Sequence, residues 1–245
     1  MERVKTGVIG FDELVDGGFP SGSAVLVSGA AGTGKSIFAL QFLVEGAKAG
    51  EKGLYITFEQ NDKDLIEQAK QFGWDLDSFT KNGKLKIISI TYPFKRKDVK
   101  DILQVGERAK MTIEKIEQEL GGFKPARVVV DSLATISTAL PPNMGTEQTR
   151  EVIKALLTML KEAGTTSILT SELSNDSKWF SRDEISEFLV DGVVTLNRLP
   201  AGVDFKRQLI IQKMRKTKFS EQISIFDIEP SKGIVIKPRG ELYSK

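Results

Sequence analysis

The chain has 245 residues, in which 35 Lys and Arg stand against 33 Asp and Glu, so the formal net charge is only +2. A charge this close to zero creates no strong field toward nucleic acid or an anionic membrane, and any basic surface must be local. The sequence contains no Cys and no His, which excludes disulfides, thiolate nucleophiles, Cys/His zinc sites, Ser-His-Asp triads and histidine phosphorelay. Any chemistry must use carboxylates, Lys, Arg, hydroxyls, backbone amides or an oxygen-liganded metal.

The sequence shows no apolar segment of membrane-spanning length. No stretch approaches the roughly 18 apolar residues that a bilayer requires, and residues 1–11 lack the apolar core of a signal peptide. Hydrophobic residues make up 40% of the chain, which is enough to bury a core in a chain of this length. We therefore expect a cytoplasmic protein that forms one domain over residues 1–245.

Short apolar runs rich in β-branched residues alternate with helical patterns, which is typical of parallel strands joined by helices. The predicted strands are 24–28, 53–58, 85–89, 127–130 and 167–170. The predicted helices are 36–49, 62–71, 98–120 and 146–163. Past residue 193, strands at 193–199, 208–215, 222–228 and 234–238 are separated by turn clusters, which predicts antiparallel hairpins. The fold class is α/β, with a mostly parallel central sheet flanked by helices and a C-terminal antiparallel extension.

The strongest motif lies between the first of these strands and its helix, and reads Gly29-Ala30-Ala31-Gly32-Thr33-Gly34-Lys35-Ser36. It matches the phosphate-binding loop pattern in full, in the strand–loop–helix context that the mechanism requires. The glycines allow backbone N–H groups to turn inward around a β-phosphate, and the helix N-terminus adds positive potential. Lys35 would reach the β- and γ-phosphate oxygens, and Ser36 could bind Mg²⁺.

Two carboxylates follow apolar strands of the predicted sheet. Asp131 follows the strand at 127–130, and in a phosphate-loop protein such an Asp holds Mg²⁺, usually through water; alternatively it caps the next turn. Glu59 ends the strand at 53–58, and ligands of open parallel sheets lie at the strands' carboxyl ends. Glu59 is therefore placed to orient and deprotonate a water that attacks the γ-phosphate, or else is a solvated charge.

Further along the chain, Lys213-Met214-Arg215 ends a predicted strand. The strand period of two places Lys213 and Arg215 on one face and Met214 on the other. Two cations aimed the same way could stabilise charge on a transferring phosphoryl group, in a neighbouring subunit's site. They could equally be charges that protect an edge strand from aggregation.

Several motifs in chain order resemble KaiC-type ATPases, a branch of the RecA/DnaB superfamily. The resemblance extends over nearly the whole chain as one KaiC domain and includes the phosphate loop and the Val-Val-Val-Asp131-Ser132 strand. Its other matching segments are Thr6-Gly7-Val8-Ile9-Gly10-Phe11-Asp12-Glu13-Leu14, Gly17-Gly18-Phe19-Pro20-Ser21-Gly22, Phe38-Ala39-Leu40-Gln41-Phe42, Phe58-Glu59, Asp191-Gly192-Val193-Val194 and Lys213-Met214-Arg215.

The resemblance implies a RecA-like core that assembles into a hexameric ring, with ATP or ADP and Mg²⁺ bound between subunits. It implies that Glu59 matches the catalytic glutamate, and that Lys213 and Arg215 match the basic pair inserted into the adjacent subunit's nucleotide site. This chain departs from the family where KaiC commonly has two glutamates and this sequence has Glu59-Gln60. It is also one domain where the clock protein has two, and it has Glu187-Phe188 at the phosphorylated Ser-Thr pair, so clock function and autophosphorylation are not expected.

Three function classes can be weighed on these residues. The first is a homo-oligomeric regulatory ATPase, whose protein partner the sequence does not name. The second is a DNA-binding ATPase similar to RecA or RadA, acting in recombination or repair, in which Trp179 and Phe180 would stack on bases. The near-neutral charge argues against avid binding to nucleic acid. The third, a kinase, would need an acceptor pocket that no recognisable motif supplies. We expect the regulatory ATPase.

Overall fold

Parallel strands joined by helices build the centre of the fold, as the alternation of apolar runs predicts. The structure is a computed structural model that describes residues 1–58, 60–90, 102–138, 145–173, 177–202 and 204–238. Its strands are β1 (Arg3–Val4), β2 (Phe19–Pro20), β3 (Ala24–Gly29), β4 (Gly53–Thr57), β5 (Leu85–Ser89), β6 (Arg127–Asp131), β7 (Thr166–Glu172), β8 (Gly192–Ala201), β9 (Asp204–Met214), β10 (Ser224–Glu229) and β11 (Gly233–Ile236). Its α-helices are α1 (Lys35–Lys48), α2 (Asp62–Lys70), α3 (Leu76–Lys81), α4 (Ile102–Phe123), α5 (Leu133–Thr138), α6 (Thr146–Glu162) and α7 (Ser186–Leu189).

The described strands form one large sheet and a small one. The large sheet has nine strands in the order β11-β10-β9-β8-β3-β7-β6-β4-β5, and β1 pairs with β2 separately. The strands from β8 to β5 in this order run parallel, whereas β9, β10 and β11 join them in antiparallel hairpins. The α/β fold with its antiparallel extension is therefore confirmed.

Both faces of the parallel sheet are buried, which explains why its strands are continuous apolar runs. Val25, Val27 and Val129 pack on the face covered by α1, α2 and α3. Leu26 and Val130 pack on the opposite face against residues of α4 and α6. Successive residues of a strand point to opposite faces, so the odd-numbered side chains of β3, β4 and β6 lie on the same side of the sheet as α1.

Side-chain caps begin α2 and α3. The Asn61 side chain caps α2 by accepting from the Asp64 amide at 2.9 Å, and Asp75 caps α3, a six-residue helix that the hydrophobic pattern does not predict. The helix predicted at 98–120 is present as α4 but continues three residues further, to Phe123, and Lys124 takes the left-handed conformation. Among the helices within the described ranges, none has the length and apolar character needed to cross a bilayer.

Candidate functional site

The candidate phosphate loop joins β3 to α1 at the carboxyl edge of the parallel strands. Gly29 ends β3, and a Cβ there would lie 2.1 Å from the carbonyl oxygen of Leu196, so a side chain cannot be accommodated. Gly32 and Gly34 have φ angles of 73° and 110°, in the region that favours glycine. Gly34 is the N-cap of α1 and offers no side chain to the first-turn amides. The backbone amides of this helix terminus are thus available to an anion.

Lys35 is the first residue of α1 and its side chain folds back over the loop. The Nζ atom donates to the carbonyl oxygens of Gly29 and Ala30, both at 2.9 Å. Thr33, which is buried, closes the turn by donating from Oγ1 to the Ala30 carbonyl at 2.9 Å. The ammonium group of Lys35 therefore lies beside the loop backbone that would surround a bound phosphate.

Asp131 ends β6 at the same edge of the sheet and is half-buried. Its Oδ2 accepts from the hydroxyl of Tyr55 at 2.5 Å, and its Oδ1 accepts from Oγ1 of Thr170, also at 2.5 Å. Ser36, the second residue of α1, is half-buried as well. A hydroxyl and a carboxylate are oxygen ligands of the kind that Mg²⁺ prefers, so these two residues fit the metal chemically.

The predicted catalytic residue Glu59 lies outside the described residues, and its role stays a prediction. Its neighbours are held at the carboxyl edge by hydrogen bonds. The Phe58 amide donates to the Asp131 carbonyl at 3.1 Å. The Gln60 amide donates to Thr57 Oγ1 at 3.1 Å, and Ser89 Oγ donates to the Gln60 carbonyl at 3.1 Å.

The basic pair, Lys213 and Arg215, lies at the edge formed by the amino ends of the parallel strands, opposite the carboxyl edge that holds the phosphate loop of its own chain. Lys213 Nζ donates to the carbonyl oxygen of Glu187 at 2.9 Å and to that of Phe188 at 3.4 Å. Arg215 also donates to the Phe188 carbonyl, at 3.2 Å, and its guanidinium is 3.8 Å from Asp191 Oδ1. The two cations share an acceptor and lie on one side of the chain, as the period of two predicts, while Met214 is buried.

These two cations lie close together beside the carboxylate of Asp191, which also forms an ion pair with Lys161 at 2.9 Å. Partial burial, and after it the charge of Arg215, lowers the pKa of the Lys213 ammonium from its ordinary value. The carbonyl groups that accept from Lys213 are neutral, and the side chain of Arg215 is 49% exposed. An anion brought to this surface would relieve the repulsion between the two cations.

A cavity of about 790 Å³ adjoins the phosphate loop. One wall contains Ala30, Ala31 and Thr33, and the exposed rings of Trp179 and Phe180 also line it. The lining also includes residues of the β8–β9 hairpin, among them Thr195, Asn197, Arg198, Phe205, Gln208 and Gln212. The sequence motifs do not point to these hairpin residues, because their proximity to the loop depends on β8 pairing with β3.

The structure also adds two side chains that the motifs do not indicate. Tyr55 and Thr170 come from the strands on either side of Asp131 and bind its two carboxylate oxygens. A tyrosine inside an otherwise aliphatic strand is a weak signal of such a contact, because a buried phenol needs a hydrogen-bond partner. Ser171, the next residue after Thr170, accepts a hydrogen bond from the Arg182 amide at 3.1 Å. Glu172 ends β7 at the level of Gly29 on the neighbouring strand β3.

The parallel sheet has a RecA-like fold, and its first core strand runs through a glycine-rich loop into a helix that begins with Lys-Ser. These features define the class of phosphate-loop nucleoside triphosphatases. Comparison with known proteins identifies the family. The family model described as "ATPase: KaiC" matches residues 4–241, and the chain belongs to this family. This membership makes the chain a P-loop ATPase that binds nucleotide.

Individual relatives support the assignment. The chain is 36% identical over 239 residues to the circadian clock protein KaiC3 of Synechocystis sp.; the match covers 97% of this chain and 46% of KaiC3, so the chain spans about half the length of that relative. It is 34% identical over 248 residues to a UPF0273 protein of Thermotoga maritima, with 97% of each covered. The crystal structure of a KaiC-like protein from Pyrococcus horikoshii OT3 matches with a TM-score of 0.81 and 36% identity, covering 97% of this chain and 99% of that one.

Proposed function

We propose that this protein is a Mg²⁺-dependent regulatory ATPase that hydrolyses ATP to ADP and phosphate as a homo-oligomer, with ATP bound between subunits of a hexameric ring. The observation that carries the proposal is the placement of the phosphate loop and Asp131 at one edge of the parallel sheet. In open α/β sheets, ligands bind outside the carboxyl ends of the strands. The family membership supports ATP as that ligand.

Residues at the loop would bind and orient the triphosphate. The first-turn amides of α1 and the backbone of residues 29–34 would surround the β-phosphate, and Lys35 would exchange its contacts with the Gly29 and Ala30 carbonyls for phosphate oxygens. Ser36 and Asp131 would hold Mg²⁺, which neutralises charge on the β- and γ-phosphates when it is bound. Glu59 would orient the attacking water and accept its proton.

Lys213 and Arg215 would act on the nucleotide of a neighbouring subunit. Their position at the opposite sheet edge keeps them away from their own loop, and their mutual repulsion favours an external anion. The backbone carbonyl of Phe188 accepts from both cations, and the exposed ring of Phe188 lies 6.3 Å from the exposed ring of Trp179, measured between ring centroids. Exposed apolar surface of this kind is suited to burial against another subunit.

One observation favours a second candidate, a DNA-binding ATPase similar to RecA or RadA. Trp179 and Phe180 line the cavity beside the loop, together with the amide side chains of Asn197, Gln208 and Gln212. Aromatic rings that stack on bases contribute about 1–3 kcal/mol per base, and amides can bind base edges. The net charge of +2 gives this candidate little electrostatic support.

Steady-state hydrolysis of MgATP, measured with and without single-stranded DNA, distinguishes the two candidates. We expect slow hydrolysis that is insensitive to DNA and is lost in Glu59→Gln and in Lys35→Ala. Stimulation of several-fold by DNA would favour the recombination or repair ATPase. Absence of hydrolysis under both conditions, in a protein that binds ATP, would refute the proposed reaction and leave a nucleotide-binding module.

A further inference from the structure

Hydroxyl groups from both neighbouring strands hold the carboxylate of Asp131. Tyr55, on β4, donates to Oδ2, and Thr170, on β7, donates to Oδ1. The strand order β7-β6-β4 places one donor on each side of Asp131. All three residues point to the face of the sheet that α1 covers, since Val129 and Ile168, two residues before Asp131 and Thr170, pack in the same cluster as Tyr55. With one hydrogen bond to each oxygen, the carboxylate cannot rotate freely.

The hydroxyl of Tyr55 has no packing role that would explain it. The side chain is fully buried in the hydrophobic cluster of the α1 face, where a phenylalanine would fill nearly the same volume. Burying a phenol hydroxyl is costly unless it is hydrogen-bonded, and hydrogen bonds to an ionised acceptor are the strong ones. The hydrogen bond to Asp131 therefore stabilises the buried hydroxyl and at the same time holds the carboxylate.

We infer that Tyr55 is a positioning residue for the metal site, and that with Thr170 it fixes the Asp131 carboxylate in the orientation that meets a metal-bound water. This inference rests on the proposed function, in which Asp131 holds Mg²⁺. Each carboxylate oxygen can accept about two hydrogen bonds, so one bond to each hydroxyl leaves capacity for such a water. An unfixed Asp has a broad χ2 distribution and would have to be ordered whenever the metal bound.

The test compares metal affinity with nucleotide affinity in purified protein. Mn²⁺ replaces Mg²⁺ because its binding can be followed by electron paramagnetic resonance, and the titration is done with saturating ADP. For Tyr55→Phe, which removes only the hydroxyl, we expect Mn²⁺ binding in the ADP complex to weaken about 10-fold or more, the size of effect seen for partners of metal ligands. ADP affinity without metal should not change, because the loop is untouched.

Thr170 offers a matched pair of variants. Thr170→Val removes the second donor and should weaken Mn²⁺ binding, whereas Thr170→Ser keeps a hydroxyl and should bind Mn²⁺ nearly as wild type does. Thermal unfolding of each variant shows whether it is folded. If Tyr55→Phe does not fold, the difference between Thr170→Val and Thr170→Ser decides the question, and equal Mn²⁺ affinities in that pair would overturn the inference.

The control Asp131→Asn separates failure of this inference from failure of the proposed function. If Asp131→Asn binds Mn²⁺ as well as wild type does, Asp131 is not at the metal, and both the metal assignment and the inference are wrong. If Asp131→Asn binds weakly while Tyr55→Phe binds like wild type, the metal assignment stands and the positioning role of Tyr55 is refuted. Weak binding in both variants is the expected result.

Discussion

The basic pair cannot serve the nucleotide of its own chain in the described arrangement. Arg215 directly follows β9, whose last residue, Met214, pairs with Gly192 at the start of β8, whereas Gly29 pairs with Leu196 of the same strand. Along the strands, Gly192 and Leu196 are four residues apart, which is about 13 Å. Across the sheet, β9 lies two strands from β3, which adds about 10 Å at right angles to the first distance. The backbone separation is therefore about 16 Å. That is farther than an arginine side chain extends, and this one points instead to the Phe188 carbonyl.

Two variants that are each inactive should therefore regain activity together. Lys35→Ala has a defective loop and an intact basic pair, and Arg215→Ala has the reverse. Removing an arginine that acts in trans costs about 10³-fold or more in turnover, so each variant alone should be nearly inactive. In an equal, random mixture, a site is complete when a chain with an intact loop is followed by a chain with an intact pair. This holds for about one quarter of the sites of a head-to-tail assembly, so about one quarter of wild-type turnover should return.

The assay is steady-state MgATP hydrolysis by co-expressed variants that carry different affinity tags. Purification through both tags in succession ensures that the measured oligomers contain both chains. The matched control combines Lys35→Ala with Asp131→Asn. Both of these changes affect the loop edge, so no site in that mixture has an intact edge and no activity should return. Confirmed mixed oligomers of Lys35→Ala and Arg215→Ala without hydrolysis above the control would refute the shared site.

Two further predictions concern buried or crowded cations. Partial burial and the charge of Arg215 lower the pKa of Lys213, so its ammonium loses its charge at a lower pH than an ordinary lysine does. The hydrolysis rate should therefore fall as the pH rises on the alkaline side of a pH–rate profile. Lys213→Arg should keep activity to higher pH. Arg127, whose side chain is only 3% exposed, donates to Glu51 and to two backbone carbonyls, so Arg127→Met should lower the free energy of unfolding in urea by about 3 kcal/mol. Glu51→Gln, at a half-exposed position, should cost clearly less, and equal losses would contradict this account.

The architecture could be predicted from the sequence because its signals are local. Apolar runs between helical periods predict the parallel strands, and each predicted strand is present with ends shifted by a few residues. The sequence does not predict where α4 ends, because the glycines at 121 and 122 suggest a stop but the helix continues through them. A Cβ at either position would contact nothing, so packing does not require glycine there. Each helical glycine costs only about 1 kcal/mol relative to alanine, which tertiary contacts of a 22-residue helix can offset.

The candidate site was predictable to the extent that it follows strand ends. The motif at residues 29–36 and the carboxylate of Asp131 both end strands, and parallel strands bring such ends to one edge. The contact between Tyr55 and Asp131 could not be predicted, because it depends on which residues of β4 and β6 lie opposite each other. The placement of the basic pair also needed the fold, since only the antiparallel direction of β9 shows that the pair lies at the far edge.

The opposite placement of the loop and the basic pair constrains any assembly in which the pair acts in trans. Each chain then offers cations from one edge of its sheet and receives a neighbour's cations at the other edge. A contact in which the basic-pair edge of one chain meets the loop edge of the next chain joins two different surfaces and is heterologous. A heterologous contact repeats from chain to chain, so it closes into a ring or grows into a filament. Sedimentation of the wild type with MgATP should therefore show a closed ring or longer polymers, and a monomer that hydrolyses ATP at the full rate would contradict the shared site.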